Sequence, residues 1–108
     1  MDPNCVFCQI ATKQSPADIV FEDDKVIAFK DTHPVAPVHI LVIPKEHIKD
    51  FYQLAEKQAF APIHSAIRKL IDENKLMENG YKVEVNGGGA QIVDHLHFHL
   101  IGPVARPV

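Results

Sequence analysis

Three histidines alternate with three large apolar residues in the stretch DHLHFHLI, residues 94–101. Successive side chains of a strand point to opposite faces, so a strand would gather the imidazoles on one face and the apolar side chains on the other. A helix turns by about 200° over two residues, which would throw the middle histidine away from its neighbours. The pattern therefore predicts a strand over residues 94–102, with Leu96, Phe98 and Leu100 in the core and a histidine row, His95, His97 and His99, on the other face.

This histidine row is too long to bind one ion with all three side chains. Residues two apart on a strand lie about 7 Å apart, so the Cα atoms of the outer histidines lie about 13 Å apart. Two neighbouring imidazoles can converge on one ion, whereas three in line hardly can. We therefore expect the three imidazoles to have different tasks. A metalloenzyme that uses the row itself as a metal site is the weaker alternative.

Two cysteines near the start of the chain suggest a task for the first histidine. Cys5 and Cys8 form a C-x-x-C pair, which in a cytosolic protein is more often metal-binding or redox-active than a structural disulfide. A redox pair is expected between a strand and a helix, and no strand precedes this pair. Structural zinc prefers four nitrogen or sulfur ligands. We predict that His47, after a strand, and His95 complete such a set; buried thiols without metal are the alternative.

Composition argues against several classes of protein. The chain has 108 residues, is 46% hydrophobic and 23% charged, and is expected to form one globular domain, 1–108. Its net charge of -3 argues against a nucleic-acid partner bound through the phosphate backbone. Neither a long apolar run nor a secretory signal is visible, so we expect a cytoplasmic protein that does not bind membranes.

Hydrophobic periodicity predicts an α+β class with a mostly antiparallel sheet, because no strand–helix–strand repeat runs through the chain. Pro62 lies inside the long helical segment, so that helix should kink or restart there. In chain order, the predicted elements are a short helix over residues 5–15, a hairpin of residues 18–23 and 25–31, a strand over 39–44, a helix over 53–76 and two strands over 81–86 and 94–102.

The sequence resembles the histidine triad (HIT) family, and most closely its Hint branch. The resemblance spans almost the whole chain, from CVFC through FEDDKVIAFKD and PVAPVHILVIPKEH to VNGGGAQIVDHLHFHLIG. It implies a sheet of about five antiparallel strands with a short N-terminal helix and one long helix, in a homodimer. It also implies a nucleotide-binding hydrolase or nucleotidyl transferase that acts at the α-phosphate of nucleoside phosphoramidates, adenylates or dinucleoside polyphosphates.

The resemblance also assigns roles by position. His97 corresponds to the nucleophile, which a neutral imidazole can be near pH 7; His99 would line the phosphate site and His39 would support the row from the neighbouring strand. Zinc-binding members match this chain at the four predicted ligands, where the zinc is structural, and no catalytic metal is required. The nucleotide would contact Phe7, Ile10 and Phe29 at the base, Asp31 at the ribose hydroxyls, and Asn86, Gly88, Gly89, Gln91, His97 and His99 around the phosphates.

One loop departs from the family pattern and keeps alternatives open. Between Asn86 and Gln91 the chain is shorter than the family loop, and Ile92 replaces a hydroxyl residue that would bond to phosphate. The first hypothesis is a purine nucleoside phosphoramidate hydrolase that forms a covalent nucleotidyl intermediate on His97. The alternatives are a dinucleoside polyphosphate hydrolase and a non-catalytic nucleotide-binding module, the latter motivated by the altered loop.

Overall fold

The computed structural model describes residues 2–106, so Met1, Pro107 and Val108 of the predicted domain 1–108 lie outside the described residues. No helix within 2–106 has the length and apolar character needed to cross a membrane. The helices are α1 (Val6–Ala11), a 3-10 turn (Phe51–Gln53), α2 (Phe60–Glu73) and α3 (Leu76–Asn79); the strands are β1 (Ile19–Glu22), β2 (Val26–Lys30), β3 (Val38–Pro44), β4 (Lys82–Val85) and β5 (Phe98–Gly102).

The five strands form one sheet in the order β1-β2-β3-β5-β4, and every neighbouring pair is antiparallel. The predicted α+β class with a five-stranded antiparallel sheet is therefore confirmed. β3 and β5 lie side by side, with Leu41 opposite His99 and His39 opposite Ile101. This pairing brings the strand that carries His39 next to the end of the histidine row.

Helices cover both faces of the sheet. The stripe of α2 formed by Ile63, Ile67 and Leu70 packs on one face, against Ile40 and Val42 of β3. α1 packs on the other face, where its apolar side chains join those of β2 and β3, which alternate with the first set along each strand. The α1-side core consists of Cys5, Phe7, Cys8, Ile10, Ala11, Ile27, Phe29, Leu41 and Ile43.

The histidine strand is shorter than predicted, because β5 begins at Phe98 and residues 94–97 lie outside the ladder. The last pair between β3 and β5 joins Val42 to Phe98. Leu96 instead donates its backbone N–H to the carbonyl of Ile48, at 2.6 Å, because β3 ends at Pro44, which has no N–H to extend the ladder. The predicted alternation nevertheless holds, since Leu96, Phe98 and Leu100 are all buried in the α2-side core.

The prediction of one helix over residues 53–76 is wrong at both ends. α2 starts at Phe60, so Pro62 occupies the first turn, where a backbone N–H has no partner within the helix and a proline is tolerated. The helix restarts rather than kinks. It ends at Glu73, and Lys75 has a left-handed backbone with φ of 56°. The predicted stop at residues 78–80 ends α3 instead, with Gly80 at φ 84°.

Candidate functional site

The two cysteines and two of the histidines form a cluster at the N-terminal end of α1. Cys5 caps this helix, and its sulfur accepts the backbone N–H of Cys8 at 3.4 Å. Cys8 Sγ lies 3.2 Å from His47 Nδ1 and 3.5 Å from His95 Nδ1, and Cys5 Sγ lies 3.4 Å from the same His95 nitrogen. All four ligand atoms lie within 4.8 Å of one another. The structure thus brings together the four residues that the sequence predicts as zinc ligands.

The cluster fits a zinc ion in donor chemistry and in spacing. Zinc bonds of about 2.3 Å to sulfur and 2.0 Å to nitrogen in a tetrahedron require sulfur–nitrogen separations of about 3.5 Å. The three observed separations lie between 3.2 and 3.5 Å. Two thiolates with two neutral imidazoles would also balance the charge of Zn²⁺, so the ion could be buried without a net charge. This set is able to hold a structural zinc.

His95 has the tautomer that such a site requires. Its Nε2 lies 2.8 Å from the carbonyl oxygen of Pro44, which can only accept, so Nε2 carries the hydrogen. The lone pair is then on Nδ1, the nitrogen that faces both sulfur atoms. Burial lowers the pKa of His95 to about 4, which keeps the imidazole neutral. Burial also raises the pKa of the Cys5 thiol, an effect that a bound cation would oppose.

His97 is buried and its free nitrogen is the opposite one. Nδ1 of His97 lies 2.8 Å from the backbone carbonyl of His95 and must donate to it. The lone pair is therefore on Nε2. The ring of Phe7 meets the imidazole edge-on with centroids 5.1 Å apart and limits its rotation. In its neutral form His97 thus presents an oriented Nε2 that is suited to nucleophilic attack.

His39 and His99 form a hydrogen-bonded pair. His39 Nδ1 accepts the backbone N–H of Val35 at 3.2 Å, so the hydrogen of the neutral ring is on Nε2. That nitrogen lies 2.9 Å from His99 Nδ1 and 3.3 Å from Asp31 Oδ2. As the acceptor, His99 keeps its hydrogen on Nε2 and can donate it elsewhere. Burial, followed by the neighbouring His97 and His39, lowers the pKa of His99.

The histidine row is divided between two clusters. His95 belongs to the cysteine cluster and His99 to a group with Asp31 and His39, while His97 belongs to neither among residues 2–106. The separation of 2.9 Å between His39 and His99 is that of a hydrogen bond, since two nitrogen ligands of one zinc would be about 3.3 Å apart. No cluster among residues 2–106 contains two imidazoles of the row, which disfavours the alternative of one ion bound by the row.

A cavity of about 550 Å³ lies beside α1, a size typical of small-molecule sites. Its walls include the predicted base-pocket residues Phe7, Ile10 and Phe29, and Asp31 also lines it. Phe7 also contacts His97, so the cavity adjoins the histidine row. The structure therefore brings the four predicted nucleoside residues to one cavity.

The predicted phosphate loop makes other contacts. Gly88 donates its N–H to Asp50 Oδ2 at 2.8 Å, and Gln91 Nε2 donates to the carbonyl of Lys49 at 2.7 Å. Asn86 and Gly89 are exposed. In this conformation the Gly88 amide is occupied by a carboxylate and is not available to a phosphate oxygen. Gln91 Oε1 is buried without a partner among residues 2–106.

Asp50 has a role in the site that the sequence reasoning missed. Its side chain caps the 3-10 turn, with Gln53 completing a capping box, and also binds the glycine loop. A β-carbon at position 87 would lie 2.7 Å from Asp50 Oδ1, so the loop packs tightly on this residue. The D-x-x-Q spacing of residues 50–53 is a signal for the capping box but not for the contact with the glycine loop.

Comparisons with known proteins show what this chain is similar to. Residues 4–107 match the family model described as "Scavenger mRNA decapping enzyme C-term binding". The chain is 35% identical to the purine nucleoside phosphoramidase of Escherichia coli K12 over 112 residues (100% of this chain, 92% of the other). It is 38% identical to the 14 kDa zinc-binding protein of Zea mays over 108 residues (94% and 83%). The solved structure of a HIT family hydrolase from Clostridium thermocellum superimposes with a TM-score of 0.91, 41% identity and coverage of 100% and 97%.

Proposed function

This chain belongs to the histidine triad (HIT) family, and from that premise we propose that it hydrolyses purine nucleoside phosphoramidates or adenylates through a covalent nucleotidyl intermediate on His97. The observation that carries the proposal is the hydrogen bond of His97 Nδ1 to the His95 carbonyl, at 2.8 Å. This bond directs the lone pair of a neutral imidazole away from the backbone. The similarity to a phosphoramidase supports the same reaction class.

The proposed reaction has two displacements at the α-phosphorus. His97 Nε2 forms a bond to phosphorus while the bond to the leaving amine, carboxylate or phosphate breaks. Water then attacks phosphorus, the bond to His97 breaks, and nucleoside monophosphate is released. His99 is held by His39 with its hydrogen on Nε2, and its ring centroid lies 5.1 Å from that of His97. It would stabilise the phosphate oxygens or protonate the leaving group.

The cavity beside α1 is the proposed nucleoside site. Phe7, Ile10 and Phe29 offer apolar walls for a purine, and Asp31 offers carboxylate oxygens to the ribose hydroxyls. Asn86, Gly88, Gly89 and Gln91 stay predicted phosphate contacts, although Gly88 would first have to leave Asp50. A chain that binds nucleotide without turnover is the second candidate, because this amide is occupied and Ile92, which replaces a hydroxyl, is 97% exposed.

A structural zinc is part of the proposal. Cys5, Cys8, His47 and His95 would hold it, and the similarity to a zinc-binding protein supports this set. When bound, the ion would join the start of α1 to the segments before β5 and after β3. The backbone carbonyl of His95 accepts the hydrogen bond from His97 Nδ1. By fixing His95, the cluster would therefore also fix the backbone group that orients the nucleophile.

The remaining proposals concern assembly and location. Exposed apolar side chains surround a cavity of about 560 Å³ between α2 and the edge strand β4, which supports a homodimer through this surface. We call it the β4 surface; its exposed apolar residues are Phe60, Met77, Tyr81 and Val83. A single domain over 1–108 is supported by the match over residues 4–107, and a cytoplasmic location stays a prediction from the sequence.

The test compares His97→Ala with Asp24→Ala, a change at an exposed residue of the β1–β2 turn that lines neither the cavity beside α1 nor the β4 surface. Adenosine 5′-phosphoramidate and a diadenosine polyphosphate are assayed for AMP release. We expect His97→Ala to lose turnover by at least about 10³-fold, the usual scale for a nucleophile, while retaining AMP binding and while Asp24→Ala stays active.

Mass spectrometry of quenched reactions provides the second measurement. A mass increase of one nucleotidyl group on the peptide that contains His97 supports the covalent mechanism and excludes the non-catalytic module. Equal turnover in His97→Ala and the unaltered protein would refute the mechanism. AMP binding without turnover of any substrate would favour the module.

A further inference from the structure

Asp31 connects the cavity to the histidine pair. It follows β2, and its backbone N–H donates to the carbonyl of His39 at 2.9 Å, so the two residues face each other across the loop of residues 32–38. One carboxylate oxygen of Asp31 accepts the backbone N–H of His33 at 2.8 Å. The other lies 3.3 Å from His39 Nε2. The loop thus fixes the carboxylate between the cavity and the imidazole.

His39 has one hydrogen for two acceptors. Its Nδ1 is occupied as an acceptor by Val35, which leaves the Nε2 hydrogen of the neutral ring to be shared. In the structure His99 Nδ1, 2.9 Å away, accepts this hydrogen, and Asp31 Oδ2 lies 3.3 Å away at an ion-pair distance. A carboxylate is the stronger acceptor of the two, because a bond to a charged group is about twice as strong as one to a neutral group. A small movement of the carboxylate towards Nε2 would therefore let Asp31 compete with His99 for the hydrogen.

Sugar hydroxyls would change this competition. A hydroxyl that donates to a carboxylate oxygen uses one of its lone pairs and reduces its strength as an acceptor for a second donor. Resting on the proposed function, we propose that Asp31 is a positioning residue that couples occupancy of the sugar site to the His39–His99 hydrogen bond. A bound ribose would draw the carboxylate away from His39, whose hydrogen would then go to His99 alone and hold His99 as an Nε2 donor.

This coupling predicts an effect on kcat that simple sugar binding does not. An interaction that has the same strength in the ground state and in the transition state alters KM only. An interaction that organises a catalytic group alters kcat. A 2′,3′-dideoxy substrate leaves the Asp31 carboxylate with His39, so its kcat should be lower by about tenfold, the scale of one lost hydrogen bond. Removing the carboxylate should remove this dependence on the sugar.

The experiment measures kcat and KM for adenosine 5′-phosphoramidate and for its 2′,3′-dideoxy analogue, each with the unaltered protein and with Asp31→Ala. Asp24→Asn, at an exposed acid of the β1–β2 turn, is the control for loss of one negative charge. Asp31→Asn, which keeps the side-chain volume, covers the case in which the alanine variant is unstable. The expected result is a ratio of the two kcat values of about 10 in the unaltered protein and in Asp24→Asn, and about 1 in both Asp31 variants.

Nitrogen-15 NMR of the histidine rings provides an independent readout. AMP should move the resonance of His99 Nδ1 towards the hydrogen-bonded value, and 2′,3′-dideoxy-AMP should leave it in place. A kcat ratio of about 1 in the unaltered protein, with an altered KM only, would show that Asp31 is a plain sugar ligand and overturn the coupling.

Two further outcomes also overturn the coupling. Equal losses of kcat on both substrates in the Asp31 variants would indicate a structural role. If the unaltered protein turns over neither substrate and AMP moves no histidine resonance, the proposed function itself fails; in the other outcomes it stands and only the coupling falls.

Discussion

Replacement of Cys8 by serine tests the zinc site most directly. Cys8 is 2% exposed, and its sulfur is the atom of the cluster that contacts both imidazoles. A serine hydroxyl is smaller and is not a usual ligand of structural zinc. We therefore expect the bound metal to fall from one ion per chain to almost none in Cys8→Ser.

The expected loss of stability follows from the groups that the ion would leave behind. His95 is fully buried and its Nδ1 would keep only the thiol of Cys5, 3.4 Å away, as a weak donor, while His47 is half-buried. An unmade bond of a buried polar group costs about 1–3 kcal/mol, so two partial losses of about 1 kcal/mol each give about 2 kcal/mol. For a domain of this size that corresponds to a fall in Tm of about 10 °C. The protein should stay folded, because Phe7 and Ile10 still pack α1 on the sheet.

The assay combines metal analysis with thermal unfolding in the presence and absence of a chelator. The chelator should lower the Tm of the unaltered protein to that of Cys8→Ser and should not change the Tm of the variant. Since the four ligands act as one unit, the double variant Cys5→Ser/Cys8→Ser should be no less stable than either single variant, within about 0.5 kcal/mol.

Two results would refute this reasoning. If Cys5→Ser and Cys8→Ser retain the metal, the ion is bound by the histidine row. If the chelator does not change the Tm of the unaltered protein, a stabilising ion is excluded. Additive losses in the double variant would mean that the thiols act as separate core residues. Turnover per folded molecule that vanishes with chelation would instead indicate a catalytic metal.

Two further predictions concern pH and assembly. Because burial and the neighbouring His97 and His39 lower the pKa of His99, the unfolded chain binds more protons below the ordinary histidine pKa of about 6.5. The free energy of unfolding should therefore fall as the pH drops from there towards the folded-state pKa, and His99→Gln should flatten this slope in urea titrations; an unchanged slope contradicts the assignment. For the homodimer, Val83→Lys on the β4 surface should give monomers in sedimentation analysis while Ile92→Lys should not, and equal masses would argue against this interface.

The periodicity of the apolar side chains predicted the fold, whereas the ends of the helices and strands are determined by tertiary contacts. Alternation in residues 94–101 correctly assigned Leu96 to the core, and this depends only on the direction of successive side chains. The start of β5 depends instead on where its partner β3 stops, at Pro44. The start of α2 likewise depends on residues 54–58, which form turns and end at Gln58 with a left-handed φ of 52°. Local patterns contain no information on such distant partners.

Which residues cluster at the candidate zinc site could be predicted from the sequence, whereas the hydrogen bonds of its histidines could not. C-x-x-C spacing and strand alternation were enough to select Cys5, Cys8 and His95, because ligand chemistry allows few other combinations. The acceptors that set each tautomer could not be predicted from the sequence. Two of them are backbone carbonyls, and because every residue has one, the sequence does not indicate which carbonyl a ring will contact. The Asp50 contact to the glycine loop joins residues far apart in the sequence, and no short pattern reports the position of such a loop.

These backbone acceptors explain how equally spaced histidines become chemically unequal. Nε2 of His95 donates to the carbonyl of Pro44 and exposes Nδ1 to the thiols, whereas Nδ1 of His97 donates to the carbonyl of His95 and leaves Nε2 free. His99 has no such carbonyl partner among residues 2–106 and receives its hydrogen bond from His39. A metal ligand, a nucleophile and a donor can therefore follow one another at every second residue, because each role is fixed by the hydrogen bond to the other nitrogen of the ring.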